Sequence, residues 1–228
     1  MSELPMIGQA PPASVWQMYR SMVGIGLLCG LLIVVVFDLT KPVIERNKAE
    51  ALQRAIFQVL PDARSSTTFR LTGEDGFEAL DSKGEGERLV YAGYDDAGAL
   101  VGVAVEAQGM GYQDVIRVLY GYSFEAEAII GIRVLESTET PGLGTKIETD
   151  PDFLANFERL DVSLGEDGAA IANPIEGVKH GEKDRPWQID GVTGATISSM
   201  AVAKLLREST VWWIPRVRRG ADDFRKAD

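Results

Sequence analysis

The spacing of apolar and polar positions changes along the chain, and each change predicts a different element. From Ser21 to Phe37 the sequence runs SMVGIGLLCGLLIVVVF, 17 residues without a charge. Tyr19 and Leu39 extend this run toward the roughly 20 residues that a bilayer core requires. Trp16 and Tyr19 stand where aromatic rings anchor a span at one interface, while Asp38 and Lys41 mark the other end. A cleaved signal peptide needs a basic leading region and small residues at its cleavage site, and the sequence through Phe37-Asp38-Leu39-Thr40-Lys41-Pro42 lacks both. The pattern therefore predicts an N-terminal tail over residues 1–17 and a retained transmembrane helix over 18–40.

After Pro42 the apolar positions recur at helical spacing, through Val43, Ala51, Leu52, Ala55, Ile56, Val59 and Leu60. Glu45, Arg46, Lys48, Glu50 and Arg54 fall elsewhere, and Pro61-Asp62 ends the pattern. This predicts an amphipathic stalk helix over 41–61. Residues 62–88 turn polar, with Gly73-Glu74-Asp75-Gly76 and Gly84-Glu85-Gly86-Glu87, as in solvated loops or short edge strands. From Leu89 the period drops to two. LVYAGYD, ALVGVAVEAQ, VIRVLYGYSF and AIIGIRVLES follow one another with short connections, which predicts antiparallel strands. Helices are expected over Pro151 to Leu160, behind Asp150, and from Thr196 to about Arg207. The fold class is thus α+β, an antiparallel sheet with packed helices preceded by one N-terminal transmembrane helix. The domain is expected over 62–210, followed by a C-terminal tail over 211–228.

Charge and composition narrow the chemistry. With 23 Lys+Arg against 34 Asp+Glu, the formal charge is −11, which repels a phosphate backbone and sets nucleic-acid binding aside. Cys29, inside the apolar span, is the single cysteine, so no intrachain disulfide, CxxC pair or cysteine-ligated cluster is available. His180 is the single histidine, and its polar surroundings from Val178 to Asp184 read as a solvated turn. Asp95, Asp96, Glu125 and Glu127 read as surface acids. Trp187 and the run Val211-Trp212-Trp213-Ile214-Pro215, next to Arg216, Arg218 and Arg219, read as packing residues or as a contact with lipid or a partner.

Two glycine motifs remain. Glu139-Thr140-Pro141-Gly142-Leu143-Gly144-Thr145-Lys146 makes a tight loop that either holds a planar ligand or is an ordinary Pro-Gly turn. Asp190-Gly191-Val192-Thr193-Gly194-Ala195-Thr196-Ile197-Ser198-Ser199 delivers Thr196 to a helix start. There it serves either as an N-cap or beside a phosphate held by backbone amides and the helix dipole. The GxxxxGK[ST] pattern is missing, so nucleotide hydrolysis has no support.

ETPGLG at 139–144, followed about fifty residues later by D-x-x-T-G-A-T-x-S at 190–198, resembles the FMN-binding domain family. That domain is shared by the G-type subunit of the Rnf electron-transport complex and the C-type subunit of the sodium-pumping NADH:quinone reductase. The resemblance spans most of residues 20–208. Gly111-Tyr112 and TGATISS favour the Rnf protein, although Gln113-Asp114 replaces a usual glycine and Ser137-Thr138 stands where a histidine often precedes ETPGLG. The resemblance implies FMN bound covalently through its phosphate to Thr196, attached by a separate flavin transferase. It assigns Glu139, Thr140, Pro141, Gly142, Leu143 and Gly144 to the flavin pocket, and Asp190, Thr193, Gly194, Ala195 and Ser198 to the attachment motif. It implies a membrane-anchored electron carrier among the other membrane subunits of an ion-translocating ferredoxin:NAD oxidoreductase, with no catalytic residue and no metal of its own. The alternatives are the quinone-reductase protein, a stand-alone flavin carrier outside the cytoplasm, and a non-redox binding module.

The implied location is the bacterial inner membrane, single-pass, with the C-terminal domain in the periplasm. Loop charge points the other way: Arg20 alone precedes the span, whereas Lys41, Arg46, Lys48 and Arg54 follow it.

Overall fold

A computed structural model of the chain describes residues 15–80 and 88–225. Most of the expected N-terminal tail, Gly84-Glu85-Gly86-Glu87 and the last three residues lie outside these. The chain divides into two units, Met1–Glu50 and Ala51–Asp228.

Helix α1 (Val15–Val59) begins in the first unit, and its apolar stretch is exposed on every side from Trp16 to Leu39. It is the one helix among the described residues long and apolar enough to cross a membrane. The anchor and stalk segments are one helix, because Pro42 lies inside α1 rather than at the start of a second helix. Proline removes one i to i−4 hydrogen bond, and the carbonyl it frees is that of Asp38, at the charged edge of the apolar stretch, where water can satisfy it.

The second unit is built on strands β1 (Ser65–Thr72), β2 (Gly76–Ala79), β3 (Leu89–Tyr94), β4 (Leu100–Met110), β5 (Val115–Ser123), β6 (Ala128–Glu136) and β7 (Leu160–Asp161). They form one antiparallel sheet in the order β2-β1-β3-β4-β5-β6-β7. The four strands read from period-two patterning are β3 to β6, and the polar segment ahead of them supplies the β1–β2 hairpin. Short helices α2 (Lys146–Thr149) and α3 (Pro151–Ala155) follow β6. Asp150 caps α3 by accepting from the amides of Asp152 and Phe153, at 3.1 Å each. Strands β8 (Glu176–Val178) and β9 (Gln188–Asp190) make a separate parallel pair that leads into helix α4 (Thr196–Arg219), and helix α5 (Ala221–Arg225) is the last element among the described residues.

Each face of the sheet is covered by a helix. On one face the end of α1 packs Ala55, Ile56 and Val59, with Leu60 just after it, against Tyr91, Ala104 and Leu119. Gly121 and Gly131, paired across β5 and β6, permit this approach. A Cβ at Gly121 would overlap the Val59 carbonyl oxygen, and one at Gly131 would stand 2.8 Å from the Val59 Cα. On the other face α4 buries Val202, Leu205, Leu206, Ile214 and Val217 in the main core with Val90, Val103, Val105, Val118 and Tyr120. Burying each such side chain contributes roughly 1.5 to 3 kcal/mol, so the two faces supply most of the sheet's stability.

Helix α4 continues to Arg219 instead of ending near Arg207, so the expected C-terminal tail begins inside this helix. Trp213, Ile214, Val217 and Phe224 are buried there. Arg219 pairs with Asp75 through two hydrogen bonds of 2.7 and 2.8 Å, and Arg218 pairs with Glu127 at 2.8 Å. Trp212 packs under the Arg216 guanidinium, 4.3 Å from the ring centroid.

Candidate functional site

The two glycine motifs meet. Thr140, Leu143 and Gly144 from the first, and Gly194, Ala195, Thr196, Ile197 and Ser198 from the second, line one cleft of about 330 Å³ with Tyr112 and Glu139. That volume lies at the lower end of the roughly 300 to 1,000 Å³ usual for small-molecule sites. Tyr112, Leu143 and Ile197 project apolar groups at its rim, each more than half exposed. A ring of exposed apolar side chains around a polar floor suits a planar ligand with one charged end.

The first motif is a closed turn after β6. The Thr140 carbonyl accepts from the amides of Leu143 and Thr145, and the Gly142 amide donates to the Thr145 hydroxyl at 3.0 Å. Gly142 has φ +75, the left-handed region that glycine occupies without strain. Pro141 and Gly142 are exposed on the outside of this turn.

Glu139 sits beneath the turn, 4% exposed, the one acidic or basic side chain buried among the described residues. Its Oε1 accepts from the amides of Tyr112 and Gln113 at 2.7 and 3.1 Å, and its Oε2 accepts from the Ser198 hydroxyl at 2.6 Å. One carboxylate thus joins the β4–β5 connection, the first motif and the first turn of α4. Gln113 adds a 2.7 Å bond from its side-chain amide to the Thr140 hydroxyl. The sequence motif places Glu139 in the pocket, but does not reveal the partners that hold it.

The second motif is a turn between β9 and α4. Gly194 has φ +84, and the N-cap position falls on Ala195, which has no side chain able to cap. Thr196 is therefore the first helical residue and not the cap. Its hydroxyl makes only a long 3.5 Å contact with the Val192 carbonyl. The first turn of an uncapped helix leaves amide groups for solvent or an anion, and the helix dipole favours the anion. Ser199, fully buried, braces the turn: it accepts from the Val192 amide and donates to the Thr196 carbonyl.

Asp190 and Thr193 line an adjoining cleft of about 190 Å³, with Lys146, Asp150, Asp152, Phe153 and His180, rather than the cleft that holds Thr196. The Asp190 carboxylate accepts from the Gly181 amide at 2.8 Å and lies 3.5 Å from His180 Nδ1. His180 Nδ1 also lies 3.1 Å from the Gly191 carbonyl, so the histidine loop folds over the start of the motif. Buried Asn156 fixes the Asp190 backbone, accepting from its amide at 2.9 Å and donating to its carbonyl at 3.1 Å. Lys183 donates to Asn156 Oδ1 at 2.9 Å, and burial pulls the Lys183 ammonium below its usual pKa. Within the same adjoining cleft Lys146 donates to the Thr193 carbonyl at 3.0 Å. Asn156 and Lys183 carry no motif that marks them in the sequence, whereas Lys146 and Ser199 each end one of the two glycine motifs without a role assigned to them there.

Comparison with known proteins places this geometry among relatives. The FMN-binding domain family matches residues 111–210. The G-type subunit of an ion-translocating oxidoreductase complex from Methanosarcina acetivorans is 31% identical over 192 residues, covering 83% of this chain and 89% of that protein. Its counterpart from Shewanella piezotolerans is 30% identical over 215 residues, covering 86% and 91%. Among solved structures, the Shewanella oneidensis NqrC matches with TM-score 0.59 at 19% identity, over 80% of this chain and all of that one. The C-type subunit of the Na(+)-translocating NADH-quinone reductase from Parabacteroides distasonis matches with TM-score 0.56 at 17% identity, over 80% and 96%.

Proposed function

We propose that this chain, which belongs to the family of G-type subunits of ion-translocating oxidoreductase complexes, carries FMN esterified through its phosphate to Thr196. It is a membrane-anchored electron-transfer subunit of such a complex, working beside the complex's other subunits. The likeness to NqrC of the quinone reductase is that of a relative sharing the fold.

One observation carries the attachment reading: the Thr196 hydroxyl stands on the uncapped first turn of α4, in the same cleft as the ETPGLG loop. The residues present fit FMN. First-turn amides and the helix dipole would hold the phosphate, while Tyr112, Leu143 and Ile197 would flank the rings. The chemistry that bound FMN supplies is single-electron transfer, and the protein tunes it through hydrogen bonds and local charge. Thr196 is a weak nucleophile without an activating base, and no histidine lies in its cleft, so a separate flavin transferase forms the ester. Asp190, with its carboxylate in the adjoining cleft and its backbone fixed by Asn156, is assigned to recognition by that transferase. An ester keeps the carrier loaded where free flavin is scarce, which agrees with a periplasmic domain on an inner-membrane anchor.

The test is intact and peptide mass spectrometry of the chain made with an active flavin transferase, beside Thr196→Ala. FMN mass on the peptide holding Thr196, absent from the variant, is the expected result. An unmodified Thr196 in the wild-type chain sinks the attachment reading.

A further inference from the structure

Glu139 is a buried carboxylate without a cation. Among the described residues no Lys, Arg or His nitrogen lies within 4 Å of it, and its three partners are the amides of Tyr112 and Gln113 and the Ser198 hydroxyl. All three donate, the set that an ionised carboxylate takes, with no acceptor calling for a proton on it. The fold makes specific room for this group. A Cβ at Gly111 would overlap Glu139 Oε1, and one at Gly144 would overlap Oε2. A buried charge left without an opposite charge costs stability that an apolar or amide side chain of the same size avoids. Joining three segments does not require that charge, because a glutamine could accept from both amides and donate its NH2 to the Ser198 oxygen.

We propose that the charge of Glu139 sets the reduction potential of the flavin held in this cleft, an inference that rests on the FMN reading above. Each electron delivered to the bound flavin adds one negative charge unless a proton follows from water. A fixed negative charge in the cleft wall, shielded from solvent, opposes that addition more strongly than a surface acid does. Glu139 thereby holds the carrier toward the oxidised state, and Ser198 moderates it by aiming a hydroxyl dipole at the carboxylate. The two residues act on the potential with opposite sign.

The experiment uses the full-length chain in detergent, made with an active flavin transferase. The flavin is reduced with dithionite and reoxidised with ferricyanide, with mediators, while its absorbance is followed. In the Glu139→Gln chains that carry FMN mass, the one-electron equilibrium is expected to shift toward the reduced form by about tenfold, about 59 mV for a one-electron couple. Ser198→Ala, which keeps the charge and removes its donor, is expected to shift it severalfold the other way. An unchanged equilibrium in Glu139→Gln, or both variants moving in the same direction, overturns the proposal. So does a Glu139→Gln chain that neither folds nor accepts FMN while Ser198→Ala shows no shift, since Glu139 is then scaffold alone. Absence of FMN mass from the wild-type chain is a different result, which removes the attachment reading itself.

Discussion

The Lys146 ammonium donates a 3.0 Å hydrogen bond to the carbonyl of Thr193, 47 residues along the chain. The bond crosses from the helix after the first glycine motif to the turn of the second, three residues before Thr196. It restrains the segment whose shape presents the threonine hydroxyl, because Gly194 beside it sits in the left-handed region with Lys146 Nζ 3.5 Å from where a Cβ would stand. Charged hydrogen bonds contribute about 1.5 to 3 kcal/mol when buried, and this one is exposed, so about 1 kcal/mol is reasonable. Lys146→Met should lower stability by that amount and, under the attachment proposed above, slow the gain of FMN mass more than it lowers the final yield. Flavin mass followed against time of incubation with the transferase checks this; an unchanged rate would show that the turn is set without Lys146.

Gly121 and Gly98 are both glycines, yet they should respond differently to alanine. A Cβ at Gly121 would meet the Val59 backbone, which cannot yield without lifting the end of α1 off the sheet. Gly98 has φ +77 in the β3–β4 turn with nothing within 4 Å of its Cβ direction. Gly98→Ala should cost only the strain of the left-handed region, about 1 to 2 kcal/mol. Gly121→Ala should cost about 3 kcal/mol or more, through overpacking and displaced helix contacts. Denaturant midpoints of the two variants, measured at equal slope, decide the order.

What the sequence makes legible is whatever buries a face at a period of its own. The anchor, the four strands β3 to β6 and the Thr196 helix start follow from spacing alone for that reason. The continuation of α4 past Arg207 does not. Thr210, Val211 and Pro215 are poor helix formers, and the helix holds there because Trp213, Ile214 and Val217 pack into the core. The site divides in the same way. Glycine spacing marks both motifs, whereas the Glu139 to Ser198 bond joins residues 59 apart and Asn156 reaches Asp190 across 34, pairings that only the folded chain creates. Asp190 belongs to the same sequence motif as Thr196, yet it faces the adjoining cleft because the turn at Gly191 to Gly194 separates the two.

Buried tyrosines predict how the domain meets alkaline solution. Burial pushes Tyr122 up to about 12, with Arg218 opposing and Glu127 adding to the shift, and burial raises Tyr120 further. Below pH 10 both folded and unfolded chains keep these protons, and the stability is fully present. Between about pH 10 and 12 the unfolded chain gives them up first, so each tyrosine removes roughly 1.4 kcal/mol per pH unit. Unfolding midpoints should therefore fall steeply above pH 10. In Tyr122→Phe the same curve should be shallower above pH 10 and parallel to wild type below it; identical slopes above pH 10 would refute the assignment.

The C-terminal helix is held by rings more than by charge. Phe224, fully buried, packs edge-on to Phe69 at 5.0 Å and against Phe77 at 4.7 Å between centroids, and its carbonyl accepts from the Tyr94 hydroxyl at 2.6 Å. The nearby Arg219 and Asp75 pair is better formed than most surface pairs, and the guanidinium holds the Asp75 carboxyl below its usual pKa, yet both groups stand in solvent. Exposed pairs are screened and contribute little, whereas removing a buried phenyl ring costs about 3 to 5 kcal/mol through lost burial and the cavity left behind. Phe224→Ala should therefore destabilise the domain by that amount and free the β1–β2 hairpin, which loses Phe77's ring partner while the amide of Phe77 still has Asp223 within reach at 3.0 Å. Asp75→Asn should have a much smaller effect, diminishing further as salt is raised. Amide hydrogen exchange across residues 65–79 reads both: fast exchange in Phe224→Ala with near wild-type protection in Asp75→Asn is expected, and the reverse order would assign the closure of the fold to the ion pair.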